Sequence, residues 1–203
     1  MGEEMKRWLL RGACAVFALM FMSACTTTAL TSVWRDSAYK GGPLKKVLII
    51  GVFKSPSVKR FFEDEFTRQL KDRGVDAVPS YTVFPEEDEI LSKETIVDKI
   101  KELKMDSVLV TRVVDVRDVG GYETYPTRVN PGGDFYDYYV VCCQSNVTEG
   151  YVMVLETRIF EEKYDKLIWS AVSESSLQRS RENTMQSFIS AAILDLQGRN
   201  LLP

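Results

Sequence analysis

The order of apolar patterns in the first half of the chain constrains its fold most strongly. Strand-like and helix-like patterns alternate there, and the first strand-like run is apolar almost throughout, as in a strand covered on both faces. The predicted elements are, in order, a strand at Lys45–Val52, a helix that begins at Ser55-Pro56 and ends at Gly74, a strand from Val75 to Val78, a helix at about Lys93–Lys104 and a strand at Val108–Val114. This β-α-β-α-β order predicts parallel pairing with right-handed crossovers.

The second half of the chain has a different pattern. Three strand-like segments follow one another without helices between them, at about Phe135–Gln144, Tyr151–Phe160 and Leu167–Glu174. The last two links are short and polar, which favours hairpins. An amphipathic helix then closes the chain before Gly198. The sequence therefore predicts an α/β fold with a single mixed sheet, antiparallel in its later strands, in one domain at residues 45–203.

The first 24 residues have the composition of an export signal. Three basic residues precede a short apolar run, which is too brief to cross a bilayer of about 30 Å as a permanent helix. Met22-Ser23-Ala24-Cys25 resembles a bacterial lipobox, where cleavage precedes the cysteine and the thiol carries diacylglycerol. We therefore predict a signal peptide at residues 1–24 and lipidation of Cys25. An ordinary cleaved signal with an incidental cysteine is the alternative.

The residues that follow Cys25 indicate in which membrane the predicted lipoprotein is anchored. Thr26 stands where an aspartate would signal retention in the inner membrane, so the resemblance implies an outer-membrane lipoprotein that faces the periplasm. Two or more acyl chains hold a protein firmly on a membrane. Residues 25–44 are predicted to serve as anchor and tether, because Thr26–Ser32 is small and polar, as flexible linkers are.

Composition narrows the functional classes. The first 24 residues hold three of the 26 basic and two of the 29 acidic residues, so the 179 that remain carry 23 and 27, a net charge of −4. That balance argues against a nucleic-acid partner. The chain has no histidine, which removes the usual general base and the commonest zinc ligand.

Cys142 and Cys143 are adjacent, so we expect one buried and one partly exposed thiol; an intermolecular disulfide is the alternative.

Four segments in order resemble a family of uncharacterised bacterial envelope lipoproteins with a small α/β domain. They are Ser32-Val33-Trp34-Arg35-Asp36, Lys46 to Gly51 leading to Phe62-Glu63-Asp64, Gly74 to Thr82, and Glu156-Thr157-Arg158 followed by Ile168-Trp169-Ser170-Ala171. The resemblance covers about residues 32 to 200. It implies a topology similar to the amino-terminal domain of the Tol system's periplasmic protein, and it implies no known activity.

A long connection at Gly120–Tyr139 is the first candidate site. It is rich in glycine and proline and carries tyrosines, of which Tyr122, Tyr125, Tyr136 and Tyr138 are predicted to bind a partner. Long loops are often functional, and tyrosine offers a large contact area with few rotatable bonds. The alternative is a surface loop whose last tyrosines pack in the following strand.

A second candidate site combines Arg112, Glu156 and Arg158. Glu156 and Arg158 share one face of a predicted strand, and we expect Arg112 nearby on another strand. The set is either an anion or carboxylate site for a partner or a partly buried salt-bridge group. The loop after Val52 lacks the glycines of a nucleotide site, and we predict no cofactor and no metal. Trp34 and Trp169 are expected to lie in the core or at its edge.

These features favour a non-catalytic interaction or assembly module whose partner is another envelope protein. A lipoprotein that binds peptidoglycan or another polysaccharide through its tyrosines is the alternative. An enzyme is the third class. It would require a carboxylate pair, as in glycosidases, and no pair is marked in this sequence.

Overall fold

A computed structural model of the protein describes residues 28–84, 92–117, 152–161, 166–176 and 181–203. Six strands in these ranges form one mixed sheet on which three helices pack. The strands are β1 (Thr28–Arg35), β2 (Lys46–Val52), β3 (Asp76–Pro79), β4 (Ser107–Arg117), β5 (Val152–Glu161) and β6 (Leu167–Ser176). The helices are α1 (Pro56–Lys71), α2 (Lys93–Glu102) and α3 (Arg181–Gly198), and a 3-10 turn at Ser80–Thr82 follows β3. The predicted α/β class with a single mixed sheet and a C-terminal helix is confirmed.

The sheet has a parallel part and an antiparallel part. Its strand order is β1-β6-β5-β4-β2-β3, and β2 runs parallel to both of its neighbours, β3 and β4. Helices α1 and α2 are the crossovers between these parallel strands, as the β-α-β-α-β pattern predicts. The remaining pairs, β4–β5, β5–β6 and β6–β1, are antiparallel. The strand predicted at Phe135–Gln144 lies outside the described residues.

Strand β1 is an element that the sequence pattern does not predict. The sequence analysis assigned Thr28–Ser32 to a flexible tether, but these residues belong to β1, which pairs antiparallel with β6. The register shifts between Leu30 and Ser32, so Leu30 and Val33 both pack against the core although they are three residues apart. This bulge breaks the alternation by which a strand is recognised, and the pairing partner is far away in sequence.

The two faces of the sheet are covered by different helices. Helices α1 and α3 pack on one face, where the rings of Phe62 and Phe66 lie 5.6 Å apart and those of Phe62 and Phe188 lie 6.2 Å apart. Helix α2 packs on the other face and places Ile96 and Ile100 against β2 and β4. None of the described helices is long and apolar enough to cross a membrane.

The predicted helix ends agree with the structure to within a few residues. Pro56 occupies the first turn of α1, where its missing N–H costs no hydrogen bond. Gly74 has a φ of +80°, and Val75 donates its N–H to the Leu70 carbonyl at 3.1 Å, which reverses the chain into β3. Helix α2 ends at Glu102, two residues before the predicted end.

Candidate functional site

The structure brings the second set of predicted site residues together. Arg112 on β4 lies directly opposite Glu156 on β5, and Arg158 is two residues further along β5. Because side chains alternate along a strand, all three lie on the face that carries Val110 and Phe160, which is the face covered by α2. The sheet register therefore accounts for the meeting of these three side chains.

Glu156 binds both arginines with its two carboxylate oxygens. Arg112 donates from Nε and Nη2 to Oε2 at 3.0 and 2.7 Å, and Arg158 donates from Nε and Nη2 to Oε1 at 3.1 and 2.9 Å. Arg112 is only 4% exposed and Arg158 only 8%. Charges removed from water to this extent require close, hydrogen-bonded partners. The set is thus the buried salt-bridge group that the sequence left as one alternative, and its role in binding a partner stays a prediction.

A second buried carboxylate, which the sequence analysis did not single out, belongs to Glu63 on α1. Glu63 is fully buried and accepts three hydrogen bonds from the ends of the parallel strands. The donors are the N–H of Gly51 at 2.8 Å, the hydroxyl of Ser80 at 2.7 Å and the N–H of Tyr81 at 3.1 Å. One signal was present in the sequence: Glu63 precedes Phe66 by three residues and Leu70 by seven, which places it on the buried face of the helix.

Glu63 connects the ends of two parallel strands to the helix between them. After β2 the chain crosses one face of the sheet as α1, and after β3 it crosses the other face as α2. The carboxyl group of Glu63 binds donors at the ends of both strands and so holds α1 against this end of the sheet.

Burial controls the ionisation of Glu63. Removal from water raises the pKa of this carboxyl above its ordinary value, while the hydrogen bonds from Ser80 and Gly51, the charge of Lys59 and the hydrogen bond from Tyr81 oppose the rise. The balance favours the protonated form in the folded protein more than in the unfolded chain.

A surface cluster lies beside Glu63. Tyr81 donates its hydroxyl to Asp64 on α1, and this hydrogen bond, together with burial, raises the pKa of Tyr81 to about 12. The guanidinium carbon of Arg60 lies 5.5 Å from the centre of the Tyr81 ring, within the range of a cation–π contact. These two contacts of Tyr81 hold the 3-10 turn after β3 against α1.

The two tryptophans named in the sequence analysis have different environments. Trp169 on β6 is fully buried and donates its Nε1–H to Asp195 at 2.9 Å, as expected for a core residue. Trp34 is 47% exposed on β1, which lies at an edge of the sheet. Trp34 is therefore not part of the core.

The other predicted site residues lie outside the described ranges. They are Cys25, Tyr122, Tyr125, Tyr136 and Tyr138. β4 ends at Arg117 and β5 begins at Val152, and these two residues are partners in register. Among the residues that the structure does describe, no group of His, Cys, Asp and Glu side chains is arranged to hold a metal ion.

Comparison with known proteins gives distant structural likeness. No protein-family model matches the chain, and no curated protein matches it. The chain is similar to a variant PelC dodecamer from Paraburkholderia phytofirmans, at 14% identity and a TM-score of 0.45, over 82% of this chain and 97% of the PelC chain. A second PelC dodecamer from that organism gives 14% identity and a TM-score of 0.42, over 80% and 94%. These values establish neither a common function nor a common assembly.

We predict that Glu156→Gln destabilises the fold by about 3 kcal/mol, because it leaves two buried arginines without their carboxylate. Denaturant unfolding of the purified domain measures this loss. Glu102→Gln is the control, since it removes the exposed ion pair with Lys99, at 2.9 Å, and should cost less than about 0.5 kcal/mol. Equal small losses in both variants would contradict a structural role for the buried group.

We predict that Glu63 makes the fold less stable as pH rises. Its folded pKa lies above the ordinary value of 4.5, so the folded state keeps a proton that the unfolded state releases. The free energy of unfolding of the wild type should therefore fall, relative to Glu63→Gln, as pH increases from 4.5 through the folded pKa. Unfolding titrations of both proteins between about pH 4 and pH 8 test this. A difference that stays constant or grows with pH would contradict it.

Proposed function

We propose that this protein is a lipoprotein held on the periplasmic side of the outer membrane through Cys25, where it acts as a non-catalytic interaction or assembly module. The observation that supports this proposal is the position of the first described residue of the sheet. Thr28, three residues after Cys25, is the first residue of β1, is 6% exposed and shares a hydrogen bond of 2.8 Å with Ser175. Because only three residue steps separate Cys25 from this buried strand end, a lipid on Cys25 would hold the domain close to a membrane.

The edge strand β1 supports the interaction role. In the described sheet β1 pairs with β6 on one side, and its outer side faces no other strand. Edge strands are templates on which an extended segment of another protein can add a strand. Trp34, half exposed on this strand, belongs to a residue type that often dominates binding energy at interfaces. The partner that we propose is another envelope protein.

The buried carboxylates favour a non-catalytic role. Glu63 has a raised pKa, as general acids often do, but it is fully buried and binds three donors of the chain itself. Glu156 binds two arginines of the sheet. Both carboxylates are engaged in holding strands and helices together, and catalysis requires groups that reach a substrate.

We predict that Cys25→Ala either releases the domain from membranes or leaves an uncleaved precursor, because the thiol to be acylated is gone. Membrane fractionation and the mass of the mature protein measure both effects. Cys142→Ser is the control, since it also removes a thiol but leaves the predicted lipid site, and it should remain in the outer-membrane fraction. Unchanged processing and retention of Cys25→Ala would refute the lipoprotein proposal.

We predict that p-benzoylphenylalanine in place of Trp34 captures a defined envelope protein when the cells are irradiated, because this position is exposed on the edge strand. Leu194, which is 63% exposed on α3, is the control position and should give no matching adduct. Mass spectrometry identifies the adducts. A glycan adduct at Trp34, or at Tyr125 in a parallel experiment, would instead support the polysaccharide-binding alternative. Identical adducts at Trp34 and Leu194 would contradict the specific binding of a partner at the β1 edge.

A further inference from the structure

The two edges of the described sheet differ in how far they are protected against pairing with another strand. Edge strand β3 has four residues and ends at Pro79, and both short length and proline limit strand addition. Edge strand β1 has eight residues and no proline, and its one charged side chain is that of Arg35 at its end. β1 is therefore the edge to which an extended segment of a partner can add.

The part of β1 that follows the bulge directs backbone groups to the open edge. Residues 32–35 pair with β6 without interruption, and the N–H of Asp36 donates to the Ile168 carbonyl at 3.0 Å. Alternate residues of an antiparallel strand direct their N–H and C=O groups to opposite sides. Because the N–H of Asp36 points to β6, the backbone groups of Arg35 and Val33 point outward, where an added strand can bind them.

Arg35 is a half-buried cation at the end of this open edge. Its side chain makes no hydrogen bond or ion pair with any other described residue, and its Nε is buried. The carboxylate of Asp36, which follows it in sequence, pairs instead with Lys166 at 3.1 Å. Because a partly desolvated guanidinium is stabilised strongly by a carboxylate, Arg35 favours an acidic group on whatever segment pairs with β1.

Trp34 lies beside Arg35 and on the opposite face of the sheet. It is 47% exposed, and its neighbour across the strand pair is the small Ser170 of β6. Ser32, two residues earlier on the same face, is also small and exposed. Tryptophan and arginine are two of the residue types that contribute most to binding at interfaces. The end of β1 thus offers one such side chain on each face of an added strand.

We infer that the segment of the envelope partner that adds to β1 carries an Asp or Glu that binds Arg35, next to a residue that packs on Trp34. This inference rests on the interaction role proposed above and names the chemistry of that partner. Side chains directly opposite each other in a strand pair share a face, and successive side chains alternate between faces. The residue opposite Arg35 is therefore adjacent in the partner's sequence to the residue opposite Trp34.

Photo-crosslinking in cells from Ser32 tests this chemistry, because it leaves both Trp34 and Arg35 in place. The full chain with p-benzoylphenylalanine at Ser32 is compared with the same chain carrying Arg35→Gln, Arg35→Glu or Trp34→Ala. Lys40→Glu is the matched control, since it reverses the charge of an exposed residue five positions after Arg35 and outside β1. The abundance of each variant in the membrane fraction and its resistance to protease show whether it is folded.

We expect the yield of the partner adduct to fall at least about threefold with Arg35→Gln or Trp34→Ala and about tenfold with Arg35→Glu, because a like charge then faces the partner's carboxylate. Lys40→Glu should change the yield by less than about 1.5-fold, as is usual for a charge at the margin of an interface. If Arg35→Glu does not fold, the comparison of Arg35→Gln with Lys40→Glu decides.

Charge reversal on the partner provides a second test. Mass spectrometry locates the crosslinked segment, and the Asp or Glu next to the residue that faces Trp34 is changed to Arg. This change should restore at least about half of the adduct yield in the Arg35→Glu chain, because it forms the ion pair again with the charges exchanged. A segment without such a carboxylate, or a reversal that restores nothing, would overturn the inference.

The remaining outcomes separate this inference from the proposed function. An envelope-protein adduct with the same yield in every variant would overturn the acidic segment and leave the interaction role intact. An adduct that contains only a second copy of this chain, or only a glycan, would also overturn the inference. No adduct from either Ser32 or Trp34 would overturn the inference and the proposed binding at the β1 edge together.

Discussion

The pairing of β1 with β6 is the interaction on which the arrangement of this molecule depends. It joins residues 147 positions apart in sequence, Thr28 and Ser175, through a buried hydrogen bond at the very start of the described chain. Loop closure over such a separation costs conformational entropy, which the backbone ladder and the burial of Leu30 and Val33 offset. Because of this pairing, the residues from Thr28 to Arg35 belong to the sheet.

The charged residues of the interior follow a common pattern. Glu156 joins β4 to β5 through two arginines, and Glu63 joins α1 to the ends of β2 and β3. A buried polar or charged group is strongly unfavourable unless it is hydrogen-bonded, so each of these carboxyl groups binds donors of the chain itself. Both groups therefore connect elements that are distant in sequence, and their hydrogen bonds stabilise the fold. The edge of β1 and Trp34 are the exposed features of the described residues that we propose for partner binding.

Much of the architecture was predictable because hydrophobic periodicity reports burial directly. The strand at Lys46–Val52 was predictable because its apolar run is short and rich in Val and Ile, and the helix from Pro56 because its apolar residues recur at helical spacing after Ser55-Pro56. The parallel pairing followed from the order of the elements. The meeting of Arg112 with Glu156 required the sheet register, which the sequence suggested but did not specify. Strand β1 was not predictable in this way, since its bulge disrupts the alternation and its polar residues, such as Thr31 and Ser32, resemble those of a linker.

The sequence by itself determined the α/β class, the order of the elements and the residues that face the core, because these depend on local spacing of apolar side chains. It also carried the signal-like segment and the lipobox-like residues before Thr26, on which the proposed location depends. Only the tertiary structure decided that Thr28 pairs with β6, that Glu63 binds donors at the ends of β2 and β3, and that both arginines bind Glu156. Each of these facts depends on contacts between segments far apart in the chain, and the local spacing of apolar side chains does not specify such contacts.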